Sequence, residues 1–72
     1  MKAIDYLHAM DLVMDTYREI VEKDGINTSW LRGYTCGRLY CLREVAMQDS
    51  EITPVEFDEI INQQREYERE VM

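Results

Sequence analysis

The chain has 72 residues, of which 15 are acidic and 8 are basic, so its formal net charge is −7. This length predicts a single domain, residues 1–72, with a modest core, because a chain of this size buries only about 60% of the surface that its unfolded form exposes. One proline and three glycines leave room for few turns, which argues against an all-β fold. The negative charge argues against direct binding to nucleic acid or to anionic membranes.

The first third of the chain has apolar residues in alternating steps of four and three, which predicts an amphipathic helix over about residues 2–23. The apolar stripe consists of Ala3, Leu7, Met10, Met14, Tyr17 and Val21. Gly25 follows this stretch directly. Glycine is the usual left-handed residue at a helix C-terminus, so Gly25 is predicted to end the first helix.

The middle of the chain predicts a second helix over about residues 29–48, with N-cap oxygens available from Asn27-Thr28-Ser29. Its apolar residues point in several directions, which is typical of a central helix packed on both flanks. One arc consists of Trp30, Leu31, Tyr34, Cys41, Leu42 and Val45. Gly33 and Gly37 each cost about 1 kcal/mol of helix propensity relative to alanine, which favours a close helix crossing at these two positions.

The third helix has the clearest start signal. Thr53 is a candidate N-cap, Pro54 suits the first helical position and Glu56 completes a capping box. A helix over about 54–70 is therefore predicted. The segment after Asn62 is strongly polar, and the sequence leaves open whether its last turns are ordered.

The short connections favour an all-α, compact three-helix bundle with up-down-up topology. A long third helix that projects from a two-helix hairpin and completes its core in a dimer is the alternative. Charge is unevenly distributed: residues 1–24 are net −3, residues 25–49 are net +1 and residues 50–72 are net −5. This pattern predicts ion pairing of Arg32, Arg38 and Arg43 with the two acidic helices.

No pattern in the chain indicates catalysis, a cofactor or a metal site. His8 is the only histidine and lies on the predicted solvent face of the first helix. Cys36 and Cys41, five residues apart on one helix, diverge by roughly 140° and cannot bond to each other. Together with one distant histidine they fall short of a zinc ligand set. A non-enzymatic, cytoplasmic protein is expected, without a signal peptide or a membrane span.

Two surfaces are candidates for binding a protein partner. The first consists of Cys36, Tyr40, Met47 and Arg38. Cys36, Tyr40 and Met47 lie in an arc that does not fit on one core-facing side of the helix. The charge of Arg38 would be costly to bury without a partner. The first surface also suits a homodimer. The second is acidic and suits a partner with a basic surface. It consists of Asp11, Asp15, Glu19, Glu22, Glu59, Glu66 and Glu70.

Residues 30–40 (WLRGYTCGRLY) and 51–57 (EITPVEF) resemble small acidic helical accessory proteins of bacteriophages and mobile elements. The resemblance implies an interaction protein that binds or inhibits a host protein, such as a defence or nucleic-acid-processing factor, in the bacterial cytoplasm. One alternative is an acidic DNA mimic that occupies a basic nucleic-acid groove. Another is a self-associating structural bundle. The resemblance assigns no site residue.

Overall fold

The computed structural model describes residues 1–72 and contains three helices and no strand. They are α1 (Ala3–Asp24), α2 (Ser29–Met47) and α3 (Pro54–Val71). Each boundary lies within one residue of its predicted position, so the all-α prediction and the predicted helix ranges are confirmed.

The helices form an up-down-up bundle. The Tyr6 hydroxyl, near the start of α1, donates a hydrogen bond to Asp49 just after α2, so α1 and α2 are antiparallel. Arg18, in the last third of α1, binds Glu70 near the end of α3, so α1 and α3 run in the same direction. The molecule measures 39 × 16 × 15 Å, which matches three helices lying side by side. The third helix therefore packs along the other two and does not project from them.

One apolar cluster holds the three helices together. It consists of Ala3, Tyr6, Met10, Val13, Met14, Tyr17, Leu31, Leu39, Ala46, Ile60 and Val71. The first helix supplies six of these eleven side chains, as its regular apolar stripe predicts, whereas α2 supplies only three. The second helix contacts both neighbours, but its third side remains exposed to solvent.

Local capping signals determine the helix ends. Gly25 has a φ of 66° and donates its N–H to the Val21 carbonyl, as expected for a left-handed terminal glycine. The Glu56 amide donates to Thr53 Oγ1 at 3.2 Å, and the Thr53 amide donates to Glu56 Oε1 at 3.0 Å. This reciprocal pair is the predicted capping box, and it sets the first residue of α3. Thr28 caps α2 by a single bond, since its hydroxyl accepts from the Leu31 amide at 3.2 Å.

The predicted ion pairing between α2 and the acidic helices is wrong. None of the ion pairs in the chain involves an arginine of α2. Arg32 instead donates to the Asn27 carbonyl, and Arg43 donates to Gln64 Oε1. The carboxylates of α1 and α3 that form ion pairs do so with basic residues of the same two helices, namely Arg18, Lys23 and Arg69.

Asp49 connects the end of α2 to the core tyrosine of α1. Its carboxylate accepts from the Tyr6 hydroxyl at 2.7 Å and from the Glu51 amide at 3.0 Å. These hydrogen bonds, that of Tyr6 first, lower the pKa of Asp49 to about 2, and the same contact raises the pKa of Tyr6 to about 12. Asp49 thus stabilises the fold in its ionised form.

We expect Asp49→Asn to flatten the acid dependence of stability. Because the folded pKa lies below the ordinary value of 3.8, the contribution of Asp49 is fully present above pH 3.8 and is lost as the pH falls through about 2. Thermal unfolding followed by circular dichroism between pH 2 and pH 4 measures this dependence. The wild type should lose more stability than the variant over that interval. Parallel pH profiles would contradict the assignment.

Candidate docking surface

The side of α2 that faces away from α1 and α3 is apolar and exposed. We call it the outward face, and it consists of Trp30, Gly33, Tyr34, Gly37, Arg38, Tyr40, Cys41, Glu44, Val45 and Met47. Every one of these residues is exposed except Glu44, which is half-buried, and only Arg38 and Glu44 carry charge. Isolated apolar residues are normal on a protein surface, but a contiguous patch on one helix is typical of an interaction site.

The outward face carries a column of three side chains on successive turns. The Trp30 and Tyr34 rings are stacked, with centroids 5.2 Å apart and planes 5° apart, and the Arg38 guanidinium lies 5.7 Å from the Tyr34 centroid. Trp30 is 72% exposed and Tyr34 is 53% exposed. Tryptophan, tyrosine and arginine are the residue types that most often dominate binding energy at protein interfaces. Stacking also orders the rings before any partner arrives, which lowers the entropy cost of binding.

An apolar groove of about 620 Å³ runs beside this column, between α1 and α2. Its lining consists of Ala9, Leu12, Val13, Tyr34, Gly37, Arg38, Cys41 and Leu42. Leu12 is 53% exposed although it lies on α1, so the apolar surface extends from α2 across the groove. The groove is open to solvent and suits a protruding side chain of a partner.

Gly33 and Gly37 do not mediate a close crossing inside the bundle, so that expectation is wrong. A Cβ added at either position would meet nothing within 4 Å. The two glycines lie on the outward face, where they make α2 thin on its solvent side. Their helix-propensity cost therefore has no compensation within the single chain.

We expect Gly37→Ala to raise the free energy of unfolding of the isolated chain by up to about 1 kcal/mol. The position is helical and open, so alanine gains helix propensity without a clash. Denaturant unfolding in dilute solution measures the change. Gly25→Ala is the matched control and should be destabilising, because the φ of 66° there favours glycine. A destabilised Gly37→Ala chain would contradict the open geometry.

The structure divides the four predicted partner-binding residues of α2. Tyr40 and Met47 are exposed along one edge of the outward face, and Arg38 lies along the other edge. Cys36 is half-buried against the core, and burial raises the pKa of its thiol. Three of the four thus belong to one face, whereas Cys36 belongs to the interior side.

Trp30, Tyr34, Cys41 and Val45 were not singled out as surface residues from the sequence, because they were grouped in one arc with Leu31 and Leu42. The available signal was a second stripe. Leu31, Thr35, Leu39 and Ala46 repeat at helical spacing toward the core, and Trp30, Tyr34, Gly37 and Cys41 repeat at helical spacing toward solvent.

A small polar cluster fixes Tyr40 at the edge of the outward face. The Gln64 side chain, 2% exposed, donates to Glu68 and accepts from Arg43 at 3.3 Å. The Arg43 guanidinium lies 5.3 Å from the centroid of Tyr40, and its buried Nε has no hydrogen-bond partner. The cluster therefore links α2 to α3 and orients the Tyr40 ring.

The predicted acidic surface is largely engaged by side chains of the same chain. The Glu70 carboxylate accepts a bidentate pair of hydrogen bonds from the Arg18 guanidinium, at 2.6 and 2.7 Å. This contact lowers the pKa of Glu70. Arg18 also lies 3.8 Å from Asp15. Such exposed pairs contribute about 0–1 kcal/mol each. Their main consequence here is that these carboxylates are partly neutralised.

The other acidic residues follow the same trend. Asp11 accepts from the Tyr67 hydroxyl, which raises the pKa of Tyr67 to about 12. Glu19 pairs with Lys23, and Glu66 pairs with Arg69. Glu22 and Glu59 form no ion pair and are exposed. They are the two members of the predicted acidic surface whose charge is unshared.

No group of three or more His, Cys, Asp or Glu side chains has the arrangement of a metal site. None of the three helices has the length and hydropathy needed to cross a membrane. Comparisons of the chain with protein-family models, with curated proteins and with solved structures found no match.

Proposed function

We propose that the protein is a non-enzymatic interaction module that binds a protein partner through the outward face of α2. The observation that carries the proposal is the stacked and exposed pair of Trp30 and Tyr34, with Arg38 above Tyr34, beside an open apolar groove. An aromatic side chain buries about 150–250 Å² at an interface. At about 25 cal/mol per Å² of buried apolar surface, even partial burial of these two rings contributes a few kcal/mol of binding free energy, from which the entropy cost of association is subtracted.

The resemblance of residues 30–40 and 51–57 to phage and mobile-element accessory proteins supports a host protein as the partner. Residues 30–40 include the whole Trp30–Tyr34–Arg38 column, so the resembling segment and the exposed face coincide. In this proposal the chain acts by occupying a surface of a host factor in the bacterial cytoplasm, and it needs no cofactor or metal.

The alternative function, mimicry of DNA by the acidic surface, has weaker support. Five of its seven carboxylates contact a side chain of the same chain, which leaves Glu22 and Glu59 as its unshared charges. A mimic depends on unscreened negative charge, so its binding should weaken steeply as salt rises.

Affinity capture from a bacterial lysate with matched variants tests the proposal. The combined substitution Trp30→Ser and Tyr34→Ser should abolish capture of the partner, whereas Glu22→Lys with Glu59→Lys should leave it intact. Both pairs are exposed, so circular dichroism should confirm that both variants fold. Capture that survives the α2 substitutions but is lost with the acidic-surface substitutions and at moderate salt would overturn the proposal in favour of mimicry.

A further inference from the structure

We infer that the outward face of α2 pairs with the same face of a second copy of this chain, antiparallel, about a two-fold axis near Cys41. The inference goes beyond the proposed function: a second copy covers the face while no host partner is bound, and the host partner displaces it. Three independent features of the face support it: its charge relative to the rest of the chain, the placement of its two charged residues, and its shape.

The charge distribution leaves one face on which two copies can meet without strong repulsion. The 19 residues of α2 carry three arginines and one glutamate, which is net +2. The remaining 53 residues hold 5 basic and 14 acidic residues, which is net −9. Each chain is net −7 overall, so contact through α1 or α3 brings acidic surfaces together. Contact through α2 avoids this.

The two charged residues of the face are placed for two-fold pairing. A two-fold interface uses the same patch on both subunits, so the patch must complement itself. Arg38 and Glu44 lie three residues before and three residues after Cys41, and neither forms an ion pair within its own chain. Antiparallel pairing centred on Cys41 brings Arg38 of each chain to the same level as Glu44 of the other, so opposite charges face each other across the seam. Parallel pairing would set like charges side by side.

The shape of the face agrees with the same register. Centring on Cys41 overlaps residues 35–47 of the two α2 helices, and within this overlap Gly37, Cys41 and Glu44 follow steps of four and three, the spacing of a seam between paired helices. Trp30 and Tyr34 lie beyond the overlap, level with residues 52 and 48 of the second copy. Centring on Cys41 places Val45 of one chain opposite Gly37 of the other, because each lies four residues from the axis. Val45 is 57% exposed, and the space above Gly37 is open and continuous with the apolar groove. The valine thus supplies a protrusion and the glycine a recess.

Sedimentation of the purified wild type, and of variants with reversed charges at residues 38 and 44, tests the pairing. The wild type should associate as its concentration rises. Arg38→Glu alone and Glu44→Arg alone should lose association, because each places like charges at two contacts. An equimolar mixture of these two single variants should form a 1:1 dimer, and the double variant, whose formal charge equals that of the wild type, should recover self-association. Glu22→Arg changes the net charge as Glu44→Arg does but lies on α1, so it should still associate.

Crosslinking with a short bismaleimide reports the register. The exposed Cys41 thiols should join two chains in the wild type and in Cys36→Ser, but not in Cys41→Ser.

A wild type that sediments as a monomer at all concentrations would overturn the inference, while the dependence of lysate capture on Trp30 and Tyr34 would still decide the proposed function separately. A dimer in which the mixed single variants fail to pair would overturn the antiparallel arrangement.

Discussion

Replacing Leu39 with alanine should remove about 2–5 kcal/mol from the free energy of unfolding, the range for a fully buried leucine. Leu39 is 0% exposed and is the middle one of the three core residues that α2 contributes. A chain of 72 residues has a total stability of about 4–11 kcal/mol at the usual value per residue. The substitution should therefore cost a large part of the fold's stability and lower the melting temperature by roughly ten degrees or more.

Val45→Ala on the same helix is the matched control for this prediction. Val45 is exposed, so its truncation should change stability by no more than about 0.5 kcal/mol in dilute solution. Denaturant unfolding of both variants measures the difference directly. Equal losses of stability for Leu39→Ala and Val45→Ala would contradict the assignment of a buried and an exposed side to α2.

Ending the chain after Asn62 should abolish cooperative folding. The removed segment contains Val71, which is 3% exposed, the buried Gln64, and Tyr67, which packs against the core. Full burial of one aliphatic side chain of this kind stabilises a fold by about 1.5–3 kcal/mol, and the truncation also uncovers part of α1. In a protein of this size the combined loss should leave a partly helical chain without a sharp thermal transition.

Arg18→Ala in the full-length chain separates the apolar contribution of this segment from its surface ion pair. Removing the Arg18–Glu70 contact should cost no more than about 1 kcal/mol, because both groups are exposed. Circular dichroism melting of the two proteins makes the comparison. A truncated chain that melts as sharply as Arg18→Ala would contradict the role assigned to the end of α3.

The positions of the helices could be predicted from the sequence because their ends depend on local chemistry. The capping box at Thr53 and Glu56 and the left-handed Gly25 act within a few residues, so no tertiary information is needed to find them. The regular stripe of α1 was equally informative, since a single periodic face has only one way to reach the core.

The inward side of α2 could not be predicted with the same success. This helix has two stripes of apolar or small residues, each at helical spacing, and periodicity does not tell which of them faces α1 and α3. Leu31 is buried whereas Trp30 beside it is exposed, a difference that depends on how three helices fit together. The ordered end of α3 was also hard to predict, because only Tyr67 and Val71 provide apolar contacts in a segment that is otherwise polar.

The same ambiguity bears on the candidate site. Arg38, Tyr40 and Met47 could be predicted as binding residues from the sequence because their positions do not fit a single core-facing side of α2. Trp30 and Tyr34 were grouped in one arc with Leu31 and were not selected, although both belong to the exposed face. Their role in partner binding stays a prediction that the variants described above are designed to test.

Acrylamide quenching of Trp30 fluorescence over a series of protein concentrations most directly tests the claim that the outward face is a docking surface that a second copy covers. Trp30 is the only tryptophan of the chain and lies on the outward face, so its emission reports on that face alone. Antiparallel pairing centred on Cys41 places it level with residue 52 of the second copy, in the connection between α2 and α3. In dilute solution acrylamide should quench the indole strongly. As the protein concentration rises, the indole should become protected from acrylamide and its emission should shift to the blue. An indole that is equally quenched from dilute to concentrated protein would contradict the claim.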